Sequence, residues 1–168
     1  MSLTHPEASA RLEWRILNDE IQKHMRLMLD LPSAIHEVRS IPNTGWLAVV
    51  SADGNIYLID IKSADIVRKI ETGVTSLHAL AVSRDGKILA VGGRTDPKTE
   101  LAVPRIYRVG DGLLLHELEG QPTTIESLAF SGDGKQLACG ARYEPMKVFD
   151  LETGSVTKID SIARRHDW

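Results

Sequence analysis

The stretch AVSRDGKILAVGG at residues 81–93 returns as AFSGDGKQLACG at residues 129–140. In both copies a serine, an Asp-Gly pair and a lysine precede an apolar run, and corresponding residues lie 48 positions apart. A looser third copy, VRSIPNTGWLAVVSADG, occupies residues 38–54. Repetition at a fixed period indicates a chain built from similar supersecondary units that stack on one another.

The later part of each unit repeats as well, with an aromatic or aliphatic pair, a turn and a second strand-like run. The three copies are YLIDIKSADIVRKI at 57–70, IYRVGDGLLLHEL at 106–118 and KVFDLETGSVTKI at 147–159. Asp60, Arg108 and Asp150 occupy the equivalent position. The offsets here are 48 and 42, so the middle unit carries about six extra residues, which lie in the segment RTDPKTELAVP.

Each unit predicts four short strands, which in the third unit are IESLAF, KQLACG, MKVFD and SVTKI. Asp-Gly pairs at 53–54, 85–86, 111–112 and 133–134 supply the positive φ that tight hairpins require. This even spacing predicts an antiparallel β array. The runs WLAVV and KILAV are almost continuously apolar, which indicates strands covered on both faces by stacked sheets. The last strand of each unit is more mixed and is expected at an outer, more exposed edge.

These units resemble the repeats of WD-repeat β-propellers, which have four strands per unit of roughly 40 to 45 residues. LAFSGDGKQLACG followed by VFDLETG carries the resemblance, which covers about residues 33–160. Ile59, Tyr107 and Phe149 stand in place of the family's tryptophan, and Arg108 replaces the aspartate of the middle unit.

The resemblance implies an all-β fold of three four-stranded antiparallel blades, preceded by one N-terminal α-helix. The expected boundaries are a helical region at 1–32, repeats at 33–71, 72–119 and 120–160, and a tail or start of a further blade at 161–168. Closed propellers have about four to eight blades. We therefore expect either a piece of a longer propeller or several chains that close a ring, with exposed blade faces at Val49 and Val91 that would drive association.

The segment from Thr4 to Leu31 differs from the repeats because it is rich in helix formers and contains no glycine. Thr4 and Glu7 fit a capping box, with Pro6 in the first turn. A stripe of mostly apolar residues follows at spacings of three and four: Trp14, Leu17, Ile21, His24, Met28 and Leu31. The segment is interpreted as an amphipathic helix that packs against an exposed blade, with a short coiled coil as the alternative.

Composition and motifs do not indicate catalysis. The net charge of −3 and the pI of about 6.1 argue against a nucleic-acid partner. No basic leader and no run of about 18 apolar residues occur, so no membrane association and a cytoplasmic location are expected. His36-Glu37 and His116-Glu117 lack the second histidine of a zinc motif, and Cys139, the single cysteine, lies in an apolar run. We therefore predict no enzyme activity, no metal and no cofactor.

In WD-repeat propellers the loops between second and third strands gather at one end and commonly hold partners. The resemblance places the equivalent loops here at residues 52–55, 94–104 and 142–145. The candidate partner-binding residues are Arg94, Asp96, Lys98, Glu100, Arg142, Tyr143 and Glu144. The alternative is a tolerated surface insertion with ordinary solvated strand ends.

The sequence thus predicts a non-catalytic protein–protein interaction scaffold whose partners are other proteins or peptides. Two alternatives remain open. One is a regulatory or sensor segment of a larger multidomain enzyme, and the other is a self-assembling structural protein that closes a ring by homo-oligomerisation.

Overall fold

Twelve antiparallel strands make up the part of the chain that the computed structural model describes, residues 31–94 and 99–159. No helix occurs within these residues, and the helical region predicted at 1–32 lies outside them apart from Leu31 and Pro32, as does the tail at 161–168. The strands are β1 Ile35–Ile41, β2 Trp46–Ser51, β3 Asn55–Asp60, β4 Ile66–Glu71, β5 Leu77–Val82, β6 Ile88–Gly93, β7 Arg105–Arg108, β8 Leu114–Glu117, β9 Ile125–Phe130, β10 Gln136–Ala141, β11 Met146–Asp150 and β12 Val156–Ile159.

The strands form three four-stranded sheets, in which each strand pairs with its neighbours along the chain. Sheet 1 comprises β1–β4, sheet 2 comprises β5–β8 and sheet 3 comprises β9–β12. The first strands β1, β5 and β9 contact one another from sheet to sheet. The fourth strands β4, β8 and β12 are the most exposed. The predicted three antiparallel sheets and their more exposed last strands are therefore confirmed.

The duplicated motif forms the same turn twice, which explains why the chain repeats it. Ser83 Oγ donates a hydrogen bond of 2.7 Å to Asp85 Oδ1, which also accepts the Lys87 backbone N–H at 3.1 Å. The second copy forms the same bonds at 2.6 and 3.1 Å through Ser131, Asp133 and Lys135. The glycines of all four predicted Asp-Gly turns have φ between +72° and +78°. The two copies of the motif therefore form the same turn with the same side-chain hydrogen bonds.

A second repeated turn follows the third strand of each sheet. Asp60 N–H donates to Asp65 O at 3.0 Å, and Ala64 N–H donates back to Asp60 O at 2.9 Å. The Asp60 carboxylate accepts the N–H groups of Lys62 and Ser63 at 2.8 and 3.0 Å. The carboxylate of Asp150 closes the equivalent turn of sheet 3 in the same way.

The arginine at the equivalent position of sheet 2 preserves this turn by a different set of bonds. Arg108 keeps both backbone hydrogen bonds, with Leu113 O and from Gly112 N–H. In this turn the carboxylate is supplied by Asp111, three residues after Arg108. It accepts the Leu113 N–H at 3.1 Å and pairs with Arg108 Nη1 at 2.7 Å. The difference from the turns of sheets 1 and 3 therefore changes the side-chain contacts and leaves the backbone turn intact.

Large aliphatic side chains pack between sheets 1 and 2, including Leu58, Leu80 and Leu89, each at most 1% exposed. Val91 lies in this cluster at 1% exposure, and Val49 is fully buried in a cluster with Leu31 on the other face of sheet 1. The expectation that Val49 and Val91 mark exposed blade faces is therefore wrong, because both side chains are enclosed.

Sheets 1 and 2 are also joined by polar contacts at both edges. Glu37 on β1 accepts the Leu80 N–H of β5 at 2.5 Å. At the outer side, Arg68 donates to Asp111 O and Gly110 O, each at 3.0 Å. Among the described strands β5 is an edge strand of sheet 2, and side chains of β1 bond two of its backbone groups, Glu37 at Leu80 N–H and His36 at Leu77 O.

Sheets 2 and 3 meet through a cluster with several alanines on the sheet 2 side. Ala81, Ala90 and Ile106 belong to this cluster, which is completed on the sheet 3 side by larger residues such as Leu137 and Phe149. Small residues on one face and large ones on the other allow the two sheets to interdigitate at close range.

Sheet 2 contacts sheet 3 through one of its faces. The residues at the equivalent repeat positions of sheet 3 lie on the face that points away from sheet 2. Ala129, Ala138 and Val148 pair across β9, β10 and β11 as Ala81, Ala90 and Ile106 do in sheet 2. Nearby on this face, Met146 and Ile159 are 39% and 45% exposed. Among the described residues, no further sheet covers this surface, which we call the free face of sheet 3.

Candidate functional site

The starts of the first strands and the ends of the second strands meet at one end of the sheets. The same backbone hydrogen bond marks this position three times: Ala52 N to Ala34 O at 2.8 Å, Arg94 N to Ser76 O at 3.0 Å and Arg142 N to Thr124 O at 3.1 Å. Arg94 and Arg142 therefore occupy equivalent positions in sheets 2 and 3. We call the surface formed by Arg94, Arg142, Tyr143 and Glu144 the rim.

Two residues after each of these carbonyls, the first strands carry His36, His78 and Glu126. In sheet 3, Glu126 Oε1 pairs with Arg142, at 2.7 Å from Nε and 2.6 Å from Nη2. In sheet 2 the carboxylate is replaced by His78, and among the described residues no acidic side chain pairs with Arg94. In the described part of the chain, the rim therefore holds one arginine that is paired with a carboxylate of its own sheet and one that has no such partner.

The two histidines of the row lie face to face. The rings of His36 and His78 have centroids 4.4 Å apart and planes within 13° of parallel. His36 Nδ1 is 2.5 Å from Leu77 O, and because a carbonyl only accepts, this nitrogen carries the proton. Burial lowers the pKa of His78, and the charges of His36, Arg94 and Arg142 lower it further while Glu126 opposes them. The lowered pKa favours the neutral form of His78.

Tyr143 is the most exposed large apolar side chain of the described residues, at 86%, and its φ is +61°. It lies in the turn between β10 and β11, where Glu144 N–H donates to Ala141 O at 3.4 Å. A bulky residue at positive φ is strained by about 1–3 kcal/mol unless surrounding contacts compensate. A side chain so exposed gains little contact energy in return.

The long loop of the middle unit is held at its far end. Ala102 and Gln121 exchange both backbone hydrogen bonds, at 2.8 and 2.9 Å, and are at most 1% exposed. Gln121 Nε2 also donates to Cys139 Sγ at 3.3 Å. Glu100 is exposed, with φ of +57°, whereas Asp96 and Lys98 lie outside the described residues. The loop is therefore tied down between sheets 2 and 3, which its surface-like composition does not predict.

Other chemistry suggested by single residues resolves into structural roles. Cys139 is fully buried, and burial raises the pKa of its thiol. Glu37, from the pair that begins like a zinc motif, is occupied by the backbone of β5 and by Arg39. In the described ranges, no group of three or more His, Cys, Asp or Glu side chains could hold a metal ion, and no helix is long and apolar enough to cross a membrane.

A comparison with protein families matches residues 112–142 to the WD40 model, described as WD domain, G-beta repeat. The matched segment runs from the last turn of sheet 2 through β10, and so includes the second copy of the duplicated motif. A comparison with curated proteins finds no match.

Proposed function

We propose that this chain, a WD-repeat protein with three four-stranded sheets, is a non-catalytic scaffold that binds other proteins or peptides at its rim. The family and the three sheets support an interaction role in general. Binding at the rim in particular is supported by the exposure and backbone conformation of Tyr143 and by the neighbouring arginines. We also propose a cytoplasmic location, with which a single buried, unpaired cysteine agrees.

The observation that carries the proposal is the conformation of Tyr143. Backbone strain persists where function requires it, and tyrosine is among the residues that most often dominate binding energy. Tyr143 combines strain, exposure and an aromatic ring on a turn held by two paired strands. Arg142 and Glu144 flank it and supply the polar border that protein interfaces usually have.

Two substitutions of Tyr143 distinguish the effect of backbone strain on stability from the effect of the aromatic ring on binding. We expect Y143G to raise the free energy of unfolding by about 1 kcal/mol, because glycine adopts positive φ without strain. We expect Y143A to leave stability close to that of the unchanged chain. Both variants should weaken peptide binding about tenfold, since both lose the ring. Peptides selected from a random library against the full chain would serve as probes, with affinities measured by calorimetry.

A matched control is available at the opposite end of sheet 2. Leu113 is 53% exposed in the turn between β7 and β8, so L113A also removes an exposed apolar side chain. Binding should be unchanged in L113A. If selected peptides bind Y143A and the unchanged chain equally well, the rim is not the binding surface.

The free face of sheet 3 favours a second candidate, in which copies of this chain join to close a ring. The residues of this face occupy the same repeat positions as residues of sheet 2 that sheet 3 covers. Exposed apolar sheet faces promote association between chains. Val148 is half-buried there, so V148D should add a charge without entering the enclosed core.

On this candidate, the unchanged chain should form a stable oligomer, and V148D should reduce it to a monomer. Light scattering behind a sizing column, over a range of concentrations, gives both masses. Lys158, exposed on β12, provides the control variant K158D, which should keep the oligomer. A monomeric unchanged chain at all concentrations would exclude ring closure by its own copies.

A further inference from the structure

The internal repeat makes Arg94 and Arg142 a natural comparison. The same backbone bond to the preceding first strand holds each arginine, to Ser76 O in sheet 2 and to Thr124 O in sheet 3. Two residues further along those strands stand His78 and Glu126. Only the arginine of sheet 3 therefore has a carboxylate at the place where the repeat geometry would provide one.

We propose that Arg94 binds a carboxylate of an acidic residue in the partner, which takes the position that Glu126 holds beside Arg142. This deepens the proposed function, on which it rests, by naming the partner class as an acidic peptide. A guanidinium offers several N–H donors to a carboxylate. In sheet 3, Arg142 directs two of its nitrogens, Nε and Nη2, at the same oxygen Oε1 of Glu126, at 2.7 and 2.6 Å.

The neighbouring histidines suit a carboxylate better than a more highly charged group. His78 is stacked on His36, and its lowered pKa favours the neutral ring. Among the described groups that affect this pKa, Arg94 is the arginine of sheet 2. Glu126 also acts on His78, but its charge is offset by the paired Arg142, so this pair adds no net positive charge to the site. A single negative charge is therefore favoured over a phosphate, which carries up to two.

The charged surroundings also predict how binding depends on pH. The groups that act on His78 are His36, Arg94, Arg142 and Glu126. A bound carboxylate adds a negative charge to this set and so favours the protonated ring. Binding of an acidic peptide should therefore become tighter as the pH falls from 7.5 to 6, and this gain should be lost in H78N.

The experiment selects peptides from a random library against the full chain and compares the sequences obtained. We expect an Asp or Glu at one position of the selected peptides. R94Q should lower the affinity of such a peptide about tenfold, the loss expected for a charge-assisted hydrogen bond. A peptide in which that residue is changed to Gln or Asn should bind the unchanged chain and R94Q equally.

A swap between the repeats provides the matched variants. H78E gives sheet 2 the carboxylate of sheet 3, so Arg94 becomes paired within the chain and the acidic peptide should bind as weakly as to R94Q. R84Q, which alters an exposed arginine in the turn between β5 and β6 at the other end of sheet 2, should keep the preference for an acidic residue. Circular dichroism spectra equal to that of the unchanged chain would verify folding of each variant.

The outcomes distinguish the two proposals. Peptides that bind at Tyr143 but show no acidic preference would overturn the role of Arg94 and leave the proposed function standing. Failure to select any peptide would overturn both. Tighter binding of a phosphoserine version of the peptide would make the site a phosphate site. Loss of binding when only the peptide C-terminus is amidated would assign the carboxylate to the chain end instead of a side chain.

Discussion

Gly54→Ala is expected to lower the free energy of unfolding by about 2–5 kcal/mol. Gly54 has a φ of +78°, and a Cβ built there would overlap the backbone carbonyl oxygen of Val74. The conformational strain of about 1–2 kcal/mol adds to an overlap that costs about 1–3 kcal/mol. The oxygen belongs to the connection between sheets 1 and 2, which Thr72 also ties to Gly54 O through its hydroxyl at 2.5 Å. Chemical denaturation followed by circular dichroism measures the change.

Two other glycines make this a graded series. Gly154 has φ of +73° and open space around the Cβ position, so G154A should cost only the conformational strain, about 1 kcal/mol. Gly132 has open space and no positive φ, so G132A should be neutral or stabilise by about 0.4–1 kcal/mol. A cost for G54A no larger than that for G154A would mean that the two segments do not touch as the structure has them.

Glu119→Gln is expected to destabilise the chain by about 2–3 kcal/mol, because it leaves a buried ammonium without a counter-ion. The Lys147 side chain is 8% exposed and points from sheet 3 towards sheet 2. Its Nζ donates to Glu119 Oε1 at 2.8 Å and to Gly120 O at 3.0 Å. Chemical denaturation of E119Q, K147M and the double variant gives the coupling between the two side chains.

The double variant should be more stable than E119Q alone, since the buried charge has been removed together with its partner. The pH dependence has a definite sign. The hydrogen bond from Lys147 lowers the pKa of Glu119, so its stabilisation is present above the unfolded-state pKa and is lost as the pH falls through the folded-state value. The difference between the unchanged chain and E119Q should therefore shrink in acid. Additive effects of the two substitutions at pH 7 would contradict the pairing.

The strands and turns could be predicted from the sequence because the interactions that define them are local. Ser83, Asp85 and Lys87 lie within five residues of one another, and their hydrogen bonds depend on nothing farther along the chain. The sheet order follows with little extra information, since every strand pairs with its neighbour in the chain. Even where Arg108 replaces the aspartate, the turn after β7 is preserved, because Asp111 supplies a carboxylate within the same turn.

The candidate site was predicted only in part, because it depends on contacts between sheets. The equivalence of Arg94 and Arg142 follows from the repeat, but their different charge environments depend on what the neighbouring first strand carries. The stacking of His36 on His78 joins residues of two sheets, and no local pattern indicates it. The strain at Tyr143 also escaped prediction, because Arg-Tyr-Glu is not a typical sequence for a turn with positive φ.

The sequence by itself determined the repeat, the four strands of each unit and their turns, since these depend on residue spacing and short-range hydrogen bonds. The tertiary structure decided which apolar surfaces are enclosed. Val91 belongs to an apolar run that predicts coverage on both faces, but only the structure shows that it packs in the cluster between sheets 1 and 2. In the same way, Ala102 of the long loop is held by Gln121 from the next unit. Burial and pairing of this kind depend on the relative placement of whole sheets, which is set by packing between residues far apart in the chain.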